Sequence, residues 1–273
     1  METPAINSSQ KPQTLDFWAT HQLSANEVGS WKIGPLELWI KRYANEWRLY
    51  TRTQGSSAQK EMNIQIPYTD EIPPNLEVHR FGVDKTVDHL SFHPTLANRP
   101  VVVRPEKAFH LPPREEVTIF ISHSVWLSLS YGTQQNTLMT IPVHRPSDTW
   151  FGPSSEEGEL CYSARTKAKL RFEELDFFPY RAVTKIVLKN KSHRELFLER
   201  IKVPFQYLSL YVSKQQIFFT DTLVVTRVEN DKQIKIEFEA PPKEEAGDCL
   251  LIHKPQKKDE RTFLIKALAN LVS

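Results

Sequence analysis

The chain reads LELWIKR over Leu36–Arg42 and, after YAN, EWRLY over residues 46–50. Leu36, Leu38 and Ile40 occupy every second position of the first segment, which is the period of a β-strand with one buried face. Trp47 and Leu49 continue the pattern in the second segment. The residues Ala44 and Asn45 between the segments predict the turn of a hairpin.

Short apolar runs separated by proline-rich or asparagine-rich turns continue along the chain. They recur about every ten residues, a spacing typical of sandwiches and barrels, and include residues 101–103, 117–122, 125–129, 183–189 and 208–212. Aromatic residues make up 11% of the chain, which also favours sheet. We therefore predict an all-β protein.

The predicted organisation is two β-sandwich-like lobes and one C-terminal amphipathic α-helix. We place a flexible tail at residues 1–14, an N-terminal β lobe at 15–145, a C-terminal β-sandwich lobe at 146–258 and the helix at 259–273. Leu264, Leu268 and Leu271 would share one face of that helix. Asp259 and Glu260 lie at its N-terminal end, before the apolar residues, where the helix dipole favours acids.

Composition limits the classes of protein. With 273 residues and 40% apolar side chains, the chain can form a core without a metal or disulfides. Cys161 and Cys249 are too few for a secreted disulfide framework, so we expect reduced thiols and a cytoplasmic protein. Neither a signal peptide nor an apolar run of about 18 residues is visible. We expect no cofactor, and the oligomeric state is left open.

Candidate functional side chains, namely cations, acids, aromatic residues and a cysteine, are most concentrated in residues 149–211, which we call the central stretch. Its cationic row, Arg165, Lys167, Lys169 and Arg171, alternates with Thr166, Ala168, Leu170 and Phe172. On a strand, the four cations would project from one face about 6.6 Å apart, and the other four residues would face the core. The row could then bind phosphates or lipid headgroups. A solvated strand face is the favoured alternative.

Three further residues of the central stretch join the binding hypothesis: Trp150, Glu159 and Tyr162. Glu159 also belongs to an acidic group with Glu156, Glu157, Asp148 and Asp176 that could serve a paired-carboxylate hydrolase. We favour the interpretation that these acids are loop solubilisers or partners of the cations.

Two other chemistries are weak candidates. Cys161 lies seventeen residues after His144, but a thiol nucleophile needs a base and an oxyanion hole, so a buried inert thiol is favoured. His89 and His93 have the i, i+4 spacing of a metal pair on a helix. Leu90 and Phe92, which lie between them, fit a strand equally well. We therefore expect no metal site.

Several motifs resemble one prokaryotic family, the domain of unknown function numbered four hundred and thirty-two. They are GPLELWI at 34–40, WFG at 150–152 with GELCYS at 158–163, and VPF at 203–205 with LSLY at 208–211. The resemblance runs from about Trp18 to Leu271. It implies a cytoplasmic, prokaryotic setting and no established activity, cofactor or catalytic residue.

These observations favour a non-enzymatic interaction or regulatory protein that binds a protein partner or an anionic surface through the central stretch. One alternative is a carbohydrate-binding or carbohydrate-cleaving β protein that uses Trp39, Trp150 and the acids at 156–159. A second is a nucleic-acid binder whose cationic row merges with Lys185, Lys189 and Lys191. A protein-docking surface should have an apolar patch with a polar rim, whereas nucleic-acid affinity should fall steeply with salt.

Overall fold

A computed structural model describes residues 17–54, 62–65, 72–84, 86–132, 136–152, 156–228, 234–257 and 262–265. The side chains of residues 62–65, Arg165 and 262–265 are not part of that description. The predicted tail, residues 1–14, lies outside the described residues.

The regular secondary structure of the described chain consists almost entirely of β-strands, so the all-β prediction is confirmed. In chain order the strands are β1 (Thr20–Gln22), β2 (Val28–Ile33), β3 (Leu36–Arg42), β4 (Glu46–Thr53), β5 (Met62–Gln65), β6 (Glu77–Gly82), β7 (His89–Thr95), β8 (Val101–Pro105), β9 (Phe109–Leu111), β10 (Glu116–Ser124), β11 (Trp126–Tyr131), β12 (Asn136–Pro142), β13 (Ser147–Phe151), β14 (Glu159–Ala168), β15 (Arg181–Asn190), β16 (Leu196–Leu198), β17 (Ile201–Val203), β18 (Leu210–Ser213), β19 (Phe218–Thr220), β20 (Thr222–Arg227), β21 (Ile234–Glu239), β22 (Cys249–His253) and β23 (Thr262–Ile265). One short helix, α1 (Lys243–Ala246), and two 3₁₀ turns, Phe172–Glu174 and Phe205–Tyr207, complete the described elements.

The chain folds as two compact units. The first takes its described residues from Met1–His93 and Leu127–Val143, and the second from Pro94–Trp126 and His144–Ser273. The chain therefore passes from one unit to the other three times. The last passage, between Val143 and His144, lies beside the boundary predicted at residues 145–146.

The first unit contains an antiparallel sheet of five strands in the order β5-β2-β3-β4-β6. Its centre is the predicted hairpin: β3 pairs with β4, and the Tyr43 N–H donates to the Glu46 carbonyl across the turn. Leu38, Ile40, Trp47 and Leu49 are all buried. The period-2 prediction for this segment is confirmed because one face of the hairpin forms the core.

The second unit is organised around β15. This ten-residue strand pairs antiparallel with β10 along nine positions, and in parallel with β19 and then β20. Since β10 covers one edge of β15 throughout, β19 and β20 must follow one another along the opposite edge. A second sheet has the strand order β13-β14-β8-β17. Its strands β13 and β14 contain residues 149–151 and 159–168 of the central stretch.

The predicted C-terminal helix is not found in the described part of its range. Thr262–Ile265 form strand β23, which pairs antiparallel with β21 at the edge of the β15 sheet. Residues 259–261 and 266–273 of the predicted helix lie outside the described residues. For residues 262–265, the helical pattern was a weaker determinant than the backbone edge of β21, since strand pairing satisfies its donors and acceptors.

Candidate functional site

The cationic row begins on a strand, as the sequence pattern requires, but leaves it early. Within β14, Lys167 is exposed and Ala168 is buried. Lys169 then forms an isolated antiparallel bridge with Phe120, and Arg171 precedes a 3₁₀ turn. Leu170 is 60% exposed, so the expectation that it faces the core is wrong. The alternation fails because the strand ends at Ala168.

Two cations of the row are paired with nearby acids. Lys169 Nζ lies 3.0 Å from Glu106 Oε2, and Arg171 Nε lies 3.0 Å from Glu174 Oε1. Exposed ion pairs of this kind add little to stability, but they lower the positive potential that a phosphate would meet. The Arg165 side chain lies outside the described residues.

The other three predicted binding residues lie on both faces of the β13–β14 pair. Trp150 is opposite Leu160, and both are nearly half exposed. Tyr162 lies two residues further along the same face, where its hydroxyl donates to Asn98 Oδ1 at 3.0 Å. Glu159 projects from the other face and forms an ion pair with Lys202. Trp150 and Tyr162 are therefore brought to one face, and Glu159 is not.

Gly152, in the WFG motif, lies against the backbone of Glu157 and Gly158, just before β14. A Cβ on Gly152 would lie 2.2 Å from the Glu157 carbonyl oxygen and 2.4 Å from the Gly158 Cα. We expect Gly152→Ala to lower the free energy of unfolding by about 1–3 kcal/mol, since backbone atoms must move. Urea denaturation measures this. Gly82→Ala is the control because no atom lies within 4 Å of its added Cβ, and equal destabilisation of the two variants would contradict the prediction.

The proposed metal pair does not have metal-binding geometry. His89 and His93 lie on strand β7, so four strand rises separate them by about 13 Å along the chain. His89 Nδ1 instead lies 3.0 Å from Asp88 Oδ1. Among the described residues, no group of three or more His, Cys, Asp or Glu side chains could hold a metal ion. The helical interpretation of the spacing is wrong.

Neither the buried thiol nor the most buried histidine of the second unit is prepared for catalysis. Cys161 is fully buried, and burial raises the pKa of its thiol to about 11. Burial, assisted by the Arg181 charge, lowers the pKa of His123 to about 3. The cavity beside His123 and Arg181 encloses about 60 Å³, which is room for about two water molecules. His123 and Arg181 form structural hydrogen bonds with Thr184 and Ser122, whereas Cys161 packs in an apolar cluster with Val102 and Phe151.

A larger concave surface lies where β14 ends. It encloses about 840 Å³ and is lined by β9, the first half of β10 and the end of β14; we call it the β10 groove. Its apolar lining includes Phe109, Leu111, Val117, Ile119 and Leu170. Its charged lining consists of Glu106, Lys107, Glu115, Glu116, Lys169 and Glu174. An apolar patch with a polar rim is typical of a site that binds another macromolecule.

One backbone edge of β10 runs beside this groove, where Glu116, Val117 and Ile119 belong to the lining. Phe120 exchanges two hydrogen bonds with Lys169, at 2.8 and 2.9 Å, on the edge opposite β15. In an antiparallel pair, alternate residues direct both backbone groups to the same edge. Thr118 and Glu116 therefore direct their N–H and C=O groups away from β15, as Phe120 does. No strand of the described part of the chain pairs with them there.

Asn190 holds one end of the β10 groove. Its buried side-chain amide donates to the carbonyls of Leu111, Pro112 and Arg194 at 2.8–3.0 Å, and its Oδ1 accepts from the Ser192 N–H. Leu111 and Pro112 line the groove. In the sequence, Asn190 follows the apolar run at 183–189 and indicates only a turn. Its role depends on partners nearly eighty residues earlier, for which the sequence has no local signal.

The fold and the site define an all-β protein with an apolar, acid-rimmed groove beside an open strand edge. The chain belongs to the family described as Protein of unknown function (DUF432), whose model matches residues 17–270. The resemblance found in the motifs is thereby confirmed. Comparison with curated proteins and with solved structures gave no match. Among the described residues, no helix has the length and apolarity needed to span a membrane.

Proposed function

We propose that this protein is a non-enzymatic, cytoplasmic interaction or regulatory protein that binds an extended segment of a partner protein in the β10 groove. The observation that carries the proposal is the open edge at Glu116 and Thr118 beside an apolar surface. The central stretch contributes Ala168, Lys169, Leu170 and Glu174 to that surface. The site therefore includes part of the stretch that the sequence indicated.

An added strand would gain main-chain hydrogen bonds from this edge. In β-strand addition, backbone bonds supply affinity, and pockets for alternate side chains supply specificity. Phe120 and Lys169 already form one bridge of such a ladder, and the chain departs at Leu170. An incoming segment would continue the line that β14 leaves. Its apolar side chains would cover Leu170, which is otherwise exposed to water.

The charge of the groove favours a partner segment with basic flanks. Its lining holds four glutamates and two lysines, and Lys169 is already paired with Glu106. Lys189 and Arg171 approach Glu116 and Glu174 from outside the lining through exposed pairs. Such pairs are weak enough to exchange for a basic residue of the partner.

The other predicted functions have less support. An anionic surface or nucleic acid would meet a cationic row in which Lys169 and Arg171 are paired with acids. For a carbohydrate reader that uses Trp39, the indole face is covered by the Arg52 guanidinium, 5.3 Å from its centre. The two compact units remain our proposed sandwich-like lobes, and the protein-binding function requires no cofactor.

The test uses a displayed library of unstructured peptides, followed by fluorescence anisotropy with the selected peptides. Thr118→Pro removes one backbone donor of the open edge beside the groove and leaves the bonds to β15, because proline is tolerated at such an edge position. Thr118→Val keeps the N–H and is the matched control. We expect Thr118→Pro to weaken peptide binding at least tenfold and Thr118→Val to have little effect. Circular dichroism verifies folding.

A second variant tests the apolar part of the groove. Leu170→Glu places a charge on an exposed side chain and should also weaken binding at least tenfold without unfolding the protein. Equal binding of selected peptides by wild type and Thr118→Pro would overturn strand addition. Failure to select any peptide that binds below millimolar concentration would overturn the proposed function as a whole.

A further inference from the structure

A second concave site lies at an interruption in the β15 sheet. Ala182 and Val183 of β15 pair with Phe218 and Phe219 of β19, whereas Ile186 pairs with Leu223 of β20. Between these positions the register shifts by one residue. The extra residue is accommodated around Asp221, which lies between the two strands. Bulges of this kind redirect a side chain and occur often beside functional sites.

The interruption separates the next strands of the sheet on that side, β18 and β21. β18 pairs with β19, whereas β21 pairs with β20, so β18 and β21 diverge from the bulge. Between them lies a cavity of about 400 Å³ that we call the Asp221 pocket. Its walls include Tyr207, Tyr211, Phe238 and Glu239, and Lys254 and Lys257 also line it.

Asp221 is buried at the base of this pocket and fixes its shape. Its Oδ2 accepts a hydrogen bond from the Ser209 N–H at 2.6 Å, and its Oδ1 accepts one from the Tyr211 hydroxyl at 2.8 Å. A carboxylate has about four acceptor positions. Asp221 can therefore orient Tyr211 and still accept hydrogen bonds from the hydroxyl groups of a ligand.

The rest of the pocket lining consists of aromatic rings and lysine side chains. The rings of Tyr207 and Phe238 are stacked with their centroids 6.5 Å apart, and Lys257 Nζ lies 5.9 Å from the centre of the Tyr207 ring. Lys254 and Glu239 are exposed, and neither forms an ion pair with another described residue. Both are available to a ligand.

We infer that the Asp221 pocket binds a phosphorylated sugar, either alone or as the sugar phosphate of a mononucleotide. Lysine ammonium groups bind phosphate as point charges, so Lys254 and Lys257 receive the phosphate. Asp221 and Glu239 accept hydrogen bonds from the sugar hydroxyls. The Tyr207 and Phe238 rings offer a face to the sugar C–H groups or to a base, which stacks on aromatic side chains in sequence-tolerant sites.

Calorimetric titration with four probes tests the pocket: ribose 5-phosphate, AMP, adenosine and inorganic phosphate. We expect the first two to bind at least tenfold more tightly than the last two. Only ribose 5-phosphate and AMP carry a phosphate on a sugar, whereas adenosine lacks the phosphate and inorganic phosphate lacks the sugar. Similar affinities for ribose 5-phosphate and AMP would identify a simple sugar phosphate as sufficient. Tighter binding of AMP would show that the base also contributes. Either result supports the inference.

Substitutions in the Asp221 pocket test which side chains bind the ligand. Lys254→Ala combined with Lys257→Ala should weaken binding at least tenfold, whereas Lys191→Ala combined with Lys243→Ala changes the charge equally at exposed positions elsewhere and should have no effect. Glu239→Gln should weaken ribose 5-phosphate several-fold and leave inorganic phosphate unchanged. Absence of binding at millimolar concentration, or equal affinity for inorganic phosphate and AMP, would overturn the inference. The β10 groove variants are unaffected by either result.

Discussion

Below pH 6.5 the free energy of unfolding should fall by about 1.4 kcal/mol per pH unit because of His123 alone. Burial, followed by the Arg181 charge, lowers the pKa of this side chain from 6.5 to about 3. In the folded protein its Nε2 lies 3.1 Å from Thr184 Oγ1 inside the second unit. Between pH 6.5 and about pH 3, only the unfolded chain binds a proton at this position, so acidification favours unfolding. Above pH 6.5 the effect is absent.

Urea denaturation of wild type and His123→Gln between pH 7 and pH 4 measures this contribution. The wild-type slope against pH should exceed that of the variant by about one proton. Burial also lowers the pKa of His21 and His93, but these groups are present in both proteins and cancel in the difference. Parallel curves would show that His123 does not titrate between the folded and unfolded states. A lower absolute stability of the variant does not affect the comparison.

Asn190→Ala should lower the free energy of unfolding by about 3 kcal/mol, since the two amide hydrogens, shared among three carbonyls, and the Oδ1 acceptor supply about three hydrogen bonds of about 1 kcal/mol each, and buried carbonyls remain unpaired. The loss should also loosen Leu111 and Pro112 and weaken peptide binding in the β10 groove. Ser192→Ala is the graded control, because it removes one bond in the same loop, from the Arg194 N–H to Ser192 Oγ. We expect it to cost about 1 kcal/mol.

Urea denaturation and peptide titration of the two variants provide the measurements. Asn190→Ala and Ser192→Ala with equal midpoints would contradict a central role of the asparagine. A large loss of stability with unchanged peptide affinity would separate Asn190 from the groove.

The strands could be predicted from sequence because their signal is local. Leu36, Leu38 and Ile40 alternate with their neighbours, and a single buried face of β3 is enough to produce that pattern. Short apolar runs placed β10, β11 and β15 in the same way. The period-2 reasoning was wrong at Leu170, where the alternation continues in the sequence after the strand has ended. A period indicates which residues suit a strand, whereas the end of a strand depends on the partners that it meets.

The sites could not be predicted because they depend on pairing between distant strands. The β10 groove joins Leu111, Val117 and Leu170, and its open edge follows from the position at which Lys169 meets Phe120. Asp221 had a weak signal, since Thr220-Asp221-Thr222 interrupts an otherwise apolar run from Ile217 to Val225. A polar interruption in a buried strand can indicate a bulge, but its partners and the pocket beside it are products of register.

The threefold passage of the chain between its units has a consequence for synthesis. β10 leaves the ribosome long before β15, and the His123–Thr184 hydrogen bond joins residues 61 positions apart. Until β15 emerges, the nascent β10 has neither of its edges paired, and β15 itself waits for β19 and β20. Pairings this distant slow folding, because the entropy of closing long loops is lost before contacts compensate for it. A fragment that ends near residue 145 would present β10 unpaired on both edges and should aggregate during expression, whereas the full chain pairs one edge of β10 with β15.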